Sequence, residues 1–416
     1  MRNPSQRATL AALTFIAAAI IAGTAAAEVK LAFIDPLSGG AASAGINAQK
    51  HFTYEIDKIN AAGGLNGEKL SIAFYDNKVD PQESLIALKK ALDEGARYIF
   101  QGNGSAVALA ISDAVLKYNE RNPGKEVLYF NYAAVDPALT NAKCNFWHFR
   151  FDANSDIKME ALTNYMKPRA NIKKVYLINQ DYSFGQAVRA AARKMLATKR
   201  PDIQIVGDEL HPLQKITDFA PYVAKIKASG ADTIITGNWA QDMALLLKAS
   251  ADAGLQVDWY TYYTEGIGSP TAIKQTGLNH RVFQVGEGAA NIPYAPSQEF
   301  EKAFRAKYDI GVGYPRVVNE MRMLVTAIDQ AKSTDPGKIA LNLEGMKLTV
   351  FNGGEGFMRA DDHQFFQPIY IRSFGDLAAN EPFDEEKTGW GWHVIAKVDT
   401  ADTVLPTVCK MKRPNA

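Results

Sequence analysis

The chain has 416 residues, with 46 Lys and Arg against 45 Asp and Glu, a formal net charge of +1, and 47% hydrophobic residues. Balanced charge offers no basic face for nucleic acid or for an anionic membrane, so neither is expected as a partner. Single cores stop growing beyond about 250–300 residues, so this chain is expected to divide into at least two domains.

Arg2 and Arg7 precede an apolar run over 10–21, and Ala25-Ala26-Ala27 stands before Glu28. This reads as a secretory signal peptide over residues 1–27, excluded from the fold. An uncleaved anchor is the competing reading, but a bilayer needs about 20 apolar residues and the run is shorter. No later stretch reads as a membrane span, so an exported, soluble chain is expected. Cys144 and Cys409 are the only cysteines. In an oxidising compartment an even pair suggests one disulfide, with two buried free thiols as the alternative. Neither has a His or Cys neighbour at metal-ligand spacing, so no metal or cofactor is expected.

From residue 28 the pattern alternates strand and helix. A strand over 29–34 gives way to the loop Asp35-Pro36-Leu37-Ser38-Gly39-Gly40, then to a helix with Phe52, Ile56 and Ile59 on one face. Gly63-Gly64 ends that helix. A second strand covers 70–75, and Asp80-Pro81 supplies an N-cap and an N1 proline to the helix bearing Leu85, Leu88 and Leu92. The short buried run 98–100 then meets Gly102-Asn103-Gly104-Ser105 and a helix with Val107, Ile111, Val115 and Tyr118 on one face. We read Ser105 as the N-cap. Bare N–H groups, a hydroxyl and the positive end of a helix dipole converge there, which suits a small anion such as a carboxylate. An ordinary strand-to-helix turn is the alternative. A strand over 127–132 follows.

A second run of the same kind begins after Arg150, with strands over 175–178, 203–206, 233–236 and 259–262 and helices around 185–196, 219–229 and 241–252. Such alternation predicts two doubly wound α/β lobes. Ligands of open α/β sheets sit beyond the carboxyl ends of the strands. The loops to watch are therefore those at Asp35–Ser38, Gly102–Ser105, Tyr132–Asp136, Asp181–Ser183, Asn238-Trp239 and 263–267. After residue 281 come one strand and two helices, then a glycine-rich hairpin at 352–356 and a strand at 390–395. The polar tail beyond has no evident place.

Nothing points to catalysis. Ser105 is not in a Gly-x-Ser-x-Gly elbow, no Walker motif occurs, and Gly102-Asn103-Gly104 lacks the third glycine of a dinucleotide loop. None of the six histidines stands at a spacing that marks a base. The pairs Asp361-Asp362 and Glu385-Glu386 read as solvated faces.

Several stretches together resemble the periplasmic branched-chain amino-acid-binding family, the leucine/isoleucine/valine-binding type of ABC importer receptor. They are Ile34-Asp35-Pro36-Leu37-Ser38-Gly39, Ile59-Asn60-Ala61-Ala62-Gly63-Gly64-Leu65-Asn66-Gly67, Ala133-Ala134-Val135-Asp136-Pro137-Ala138-Leu139-Thr140, Phe149-Arg150, Asp181-Tyr182-Ser183-Phe184-Gly185 and Glu265-Gly266-Ile267-Gly268. The resemblance implies a periplasmic binding protein of type I: two Rossmann-like lobes, a three-segment hinge, and a ligand trapped by closure. Lobe 1 is expected at 28–149 plus 281–347 and lobe 2 at 150–280 plus 348–416.

The resemblance places a ligand carboxylate on Ser105 and on the loop Ala133, Ala134 and Val135. It places an α-amino group on Glu265 and an aromatic wall at Tyr182. Gly104 and Asn103 belong to the same turn as Ser105, and Asn238 and Trp239 to the facing loop. The chain departs from the family at Val135, where a hydroxyl residue is common, and at Ala44, where an aromatic often covers the ligand. Tyr132, Trp147, Trp239, Tyr262 and Tyr263 cluster on or beside the cleft loops, either as core or as ligand wall. If they face inward they suit a ring. The expected ligand is then larger than valine, an aromatic amino acid or an aryl carboxylate. The expected role is a monomeric periplasmic receptor delivering it to an inner-membrane ABC permease. A ligand-sensing module for a receptor or regulator is the alternative, and an exported hydrolase the least favoured.

Overall fold

The computed structural model describes residues 28–414. The signal-peptide reading, over 1–27, lies outside the described residues.

The first lobe is built from β1 (Glu28–Asp35), α1 (Ala42–Ala61), β2 (Lys69–Asp76), α2 (Pro81–Asp93), β3 (Tyr98–Gln101), α3 (Ser105–Arg121), β4 (Leu128–Asn131) and β5 (His148–Arg150). Its strands form one parallel sheet in the order β2-β1-β3-β4-β5. Every residue of β3 and β4 is buried, as befits strands covered on both faces. Asp80 caps α2 by accepting the N–H groups of Gln82 and Glu83, as its side chain and the following proline require.

The chain then enters the second lobe through α4 (Ser155–Met166), β6 (Lys174–Gln180), α5 (Ser183–Lys199), β7 (Gln204–His211), α6 (Ala220–Ser229), β8 (Thr233–Thr236), α7 (Ala240–Asp252), β9 (Asp258–Thr261), α8 (Ser269–Thr276) and β10 (Val282–Gly286). It returns to the first lobe as α9 (Ala295–Tyr308), α10 (Pro315–Ala331) and α11 (Pro336–Leu343). A small antiparallel sheet of β11 (Lys347–Thr349), β12 (Glu355–Met358) and β13 (Phe365–Phe366) comes next. Met358 and Phe365 pack on the first core, Phe357 and Phe366 on the second. Finally β14 (Ile369–Asp376) and β15 (Trp390–Val398) join the second sheet, whose order is β15-β14-β10-β9-β8-β6-β7. Those two strands run antiparallel to their neighbours; the other five are parallel.

Three chain segments link the lobes as the type I arrangement requires, and the tail makes a further passage. The lobe boundaries differ from the sequence expectation in two places. β10 pairs with Trp259–Thr261 of β9 and with β14, so the segment 281–286 belongs to the second lobe. Those partners are far away in sequence, and no local pattern reveals them. The tail after β15 crosses back to the first lobe: Thr407 donates to the carbonyl of Thr140, Met411 packs on the first core, and Arg413 reaches Glu344. Cys409 is bonded to Cys144 and fixes that return.

The paired carboxylates also differ from expectation. Asp362 is buried in an ion pair with Arg359, and Glu385 lies beside Arg305. Asp362 finds its arginine three residues back in the chain, while only tertiary structure brings Arg305 to Glu385.

Candidate functional site

Strand order creates a switch point in each sheet. In the first lobe β2 and β3 leave β1 in opposite directions, and in the second β7 and β8 do so from β6. Crevices open at such points. The loops from both face one small cavity between the lobes, about 50 Å³ in this closed arrangement, lined among others by Ala44, Ser105, Val135, Tyr182, Trp239 and Glu265. At its mouth the lobes touch, the Gln241 N–H donating to the Gly40 carbonyl at 3.4 Å.

The turn after β3 is shaped by a buried acid. Asp35, at the end of β1, accepts the N–H of Gly102 at 3.2 Å, the N–H of Asn103 at 3.0 Å, and the hydroxyl of Tyr132. Burial pushes its carboxyl up to about 7, with those donors pulling the other way. A Cβ on Gly102 would meet the Tyr132 ring at 2.7 Å, so only glycine lets that ring pass beneath the turn. Gly104 has φ +102°, in the region that favours glycine, and it is the residue that caps α3.

Ser105 is therefore the first residue of the helix rather than its N-cap. Its Oγ accepts the N–H of Asp136 at 3.2 Å instead of a helix amide. A residue with helical dihedrals cannot fold its side chain back as an N-cap does. The consequence favours binding, because the hydroxyl proton is left to donate into the cavity.

The amides divide between those already used and those still open. Gly102 and Asn103 give theirs to Asp35, while Ala133 and Ala134 give theirs to the Asn131 carboxamide at 3.2 and 2.7 Å. Among the described residues the N–H groups of Ser105 and Val135 have no acceptor. Ser105 N–H, Ser105 Oγ–H and Val135 N–H are thus open donors at the positive end of α3, an arrangement able to take an anion. The departure at Val135 removes a hydroxyl but keeps the amide.

Across the cavity, Trp239 donates its indole N–H to the Tyr182 hydroxyl at 2.8 Å, which leaves the phenol proton free to donate. Burial pushes that phenol well above its ordinary value, so it stays protonated. Glu265 lies at the far end. Burial pushes its carboxyl up, Arg372 and Arg316 oppose this, and Oε2 accepts no hydrogen bond. The nearest cation is Arg372 at 3.3 Å.

Not all of the expected residues reach the cavity. Asn103, Gly104, Ser105, Ala133, Ala134, Tyr182, Trp239 and Glu265 line it. Tyr132 is fully buried behind the turn, bonded to Asp35 and Asn103. Asn238 is buried and donates to His211 at 2.8 Å. Trp147 and Tyr262 belong to the two cores. Both corrected residues have polar atoms that find buried partners, which removes them from the wall.

The wall residues that escape sequence reading include Asn47, Phe184, Gly313, Tyr314 and Arg316. Tyr314 and Arg316 flank Pro315 at the start of α10, and Pro315 was the one local signal of a helix start there. Arg316 is fully buried, its guanidinium 2.8 Å from Glu287 and stacked over Tyr314 at 4.7 Å. Lys158 joins the same group, 2.7 Å from Asp152 and 3.2 Å from Glu287. Despite the burial that would raise it, Glu287 is held ionised by Lys158 and Arg316. This network sits at the hinge, where Tyr263 also donates to Asp152 at 2.8 Å.

Two α/β lobes with opposed switch points and a polar-ended, aromatic-walled cavity define a two-lobed solute-binding protein. The model of the family described as periplasmic binding protein matches residues 28–376. The chain is 35% identical to Leu/Ile/Val-binding protein homolog 4 of Brucella abortus, over 94% of this chain and 95% of that one. Among solved structures it resembles the leucine-, isoleucine-, valine-, threonine-, and alanine-binding protein from Brucella ovis in its closed conformation, with TM-score 0.82 and 33% identity, covering 94% and 100% of the two chains. A solute-binding protein of an ABC transporter from R. palustris, in complex with benzoate, shares the fold with TM-score 0.76 at 18% identity, over 92% and 100%. The chain belongs to the periplasmic binding protein family.

Proposed function

We propose that this protein is the periplasmic receptor of an ABC importer, closing on an amino acid or a small aromatic carboxylate and presenting it to an inner-membrane permease. The observation that carries this is the trio of open donors at Ser105 and Val135, set opposite the Glu265 carboxylate, whose Oε2 accepts no hydrogen bond and has Arg372 3.3 Å away. The carboxylate of the ligand takes the donors, and an ammonium or hydroxyl takes Glu265, each a charge-assisted bond. Between these poles Tyr182, Phe184, Trp239, Tyr263 and Tyr314 supply aromatic walls, and Ala44 leaves room for a ring.

Lobe 1 contributes Ser105 and Val135, and lobe 2 contributes Tyr182, Trp239 and Glu265, so only closure assembles the full set. Micromolar binding needs about 8 kcal/mol, and one charged anchor gives about 1.5–3 kcal/mol. Burial of the ligand side chain must therefore supply much of the rest, at about 25 cal/mol per Å². A non-catalytic role fits the surroundings of Ser105, whose Oγ is paired with a backbone N–H rather than with an imidazole.

Titration calorimetry with a carboxylic acid and its primary amide tests the reading. The acids are expected to bind and their amides to lose most of the affinity, whereas equal binding of both would oppose it.

A further inference from the structure

The ligand cavity does not end at Glu265. Asn47, Glu265, Ile267 and Gly313 line it and also line a second chamber of about 410 Å³. That chamber is rich in acceptors. Seven carboxylates line it against three cations, Arg305, Arg372 and Lys387, and Lys387 is already bound to Asp309. Arg305 donates to Glu301 at 2.5 Å and to the Asp384 carbonyl at 2.7 Å, while Arg372 donates to the Gly288 carbonyl and stacks over Trp392.

A second observation is independent of the acids. Asn47 and Asn352 are 6% and 7% exposed, and the Oδ1 atom of each has no hydrogen-bond partner among the described residues. A buried acceptor left empty costs free energy, which an N–H donor entering the chamber would recover.

We infer that the preferred ligand carries, beyond its carboxylate and α-ammonium, a second cationic or N–H-rich group that fills this chamber, as in a basic amino acid. The inference rests on the reading above, which places the carboxylate at Ser105. Burial pushes the Glu385 carboxyl up to about 7, Arg305 pulls it back and Glu301 pushes it further. A carboxyl so balanced ionises readily beside an arriving cation.

The test is calorimetric titration of the full mature protein with arginine, lysine, leucine and benzoate. Two variants accompany it: Glu385→Gln, which removes a chamber charge, and Ala290→Trp, which fills the chamber from a half-buried loop position. The inference expects arginine or lysine to bind the parent and to lose about tenfold or more in both variants, with leucine changed less than about twofold. Binding of leucine or benzoate without either basic amino acid overturns the inference and leaves the carboxylate reading standing. Basic ligands indifferent to both variants overturn it as well. Failure of all four ligands to bind overturns the carboxylate reading and this inference with it.

Discussion

The buried carboxylate of Asp35 accepts the backbone N–H of Asn103 at 3.0 Å, across 68 residues of sequence. Through this bond the end of the first strand holds the turn that opens the anion site, and it uses amides that would otherwise compete for the ligand.

The Asp35 carboxyl is raised by burial from about 4 in the unfolded chain to about 7 in the folded one. A raised acid gives stability that is fully present below the unfolded value and is lost as pH rises through the folded value. His51, lowered by burial to about 3, acts in the opposite sense between about pH 3 and 6.5 and masks the trend in the parent. The difference between the parent and Asp35→Asn isolates it. The advantage of the parent over the variant should shrink by about 1.4 kcal/mol per pH unit between pH 4 and 7. Urea unfolding of both proteins across that range measures it.

Ser105→Ala removes the hydroxyl donor and leaves the buried Asp136 N–H without its acceptor. Ligand affinity should fall by about 1–3 kcal/mol, roughly fivefold to a hundredfold, with the lobes still folded. Calorimetric titration and far-UV circular dichroism on the same sample separate the two effects.

Trp239 forms part of the wall and donates to Tyr182. Trp239→Ala should weaken an aryl ligand more than an aliphatic one, because it removes a stacking face worth about 0.5–1.5 kcal/mol beyond area burial. Tyr182→Phe keeps the ring but leaves the indole N–H unpaired, at a cost of about 1–3 kcal/mol. Competition titrations with a ring-bearing and a branched aliphatic ligand give the ratio.

The disulfide from Cys144 to Cys409 closes a loop with a sequence separation of 265 and holds the tail on the first lobe. Replacing both cysteines by serine should cost about 2–5 kcal/mol of stability. It should also free the tail beyond β15, which limited proteolysis would detect as early cleavage between residues 399 and 409.

Much of the architecture could be read from local chemistry. Asp80-Pro81 caps a helix, Gly102 and Gly104 turn the chain after a buried strand, and strand-helix alternation specifies the doubly wound lobes. What escaped depended on distant partners. The β10 strand shows its lobe only through β9 and β14, and Glu385 shows its burial only through Arg305. At the site, the Gly102–Ser105 turn carried a local signature, whereas Glu265 was reached only through the family resemblance; both line the cavity. Tyr132 and Asn238 do not, because Asp35 and His211 draw their polar atoms inward. Which amides are open was also hidden, since Asp35 and Asn131 occupy four of them.

The central claim is that the two lobes trap a small acid at the head of α3. A crystal structure of the mature protein with its tightest carboxylate ligand tests this most directly. The account predicts the carboxylate within about 3 Å of Ser105 N, Ser105 Oγ and Val135 N, with any ammonium on Glu265. A carboxylate seated instead on Arg316 or Arg372, or a ligand outside the gap between the lobes, would contradict it.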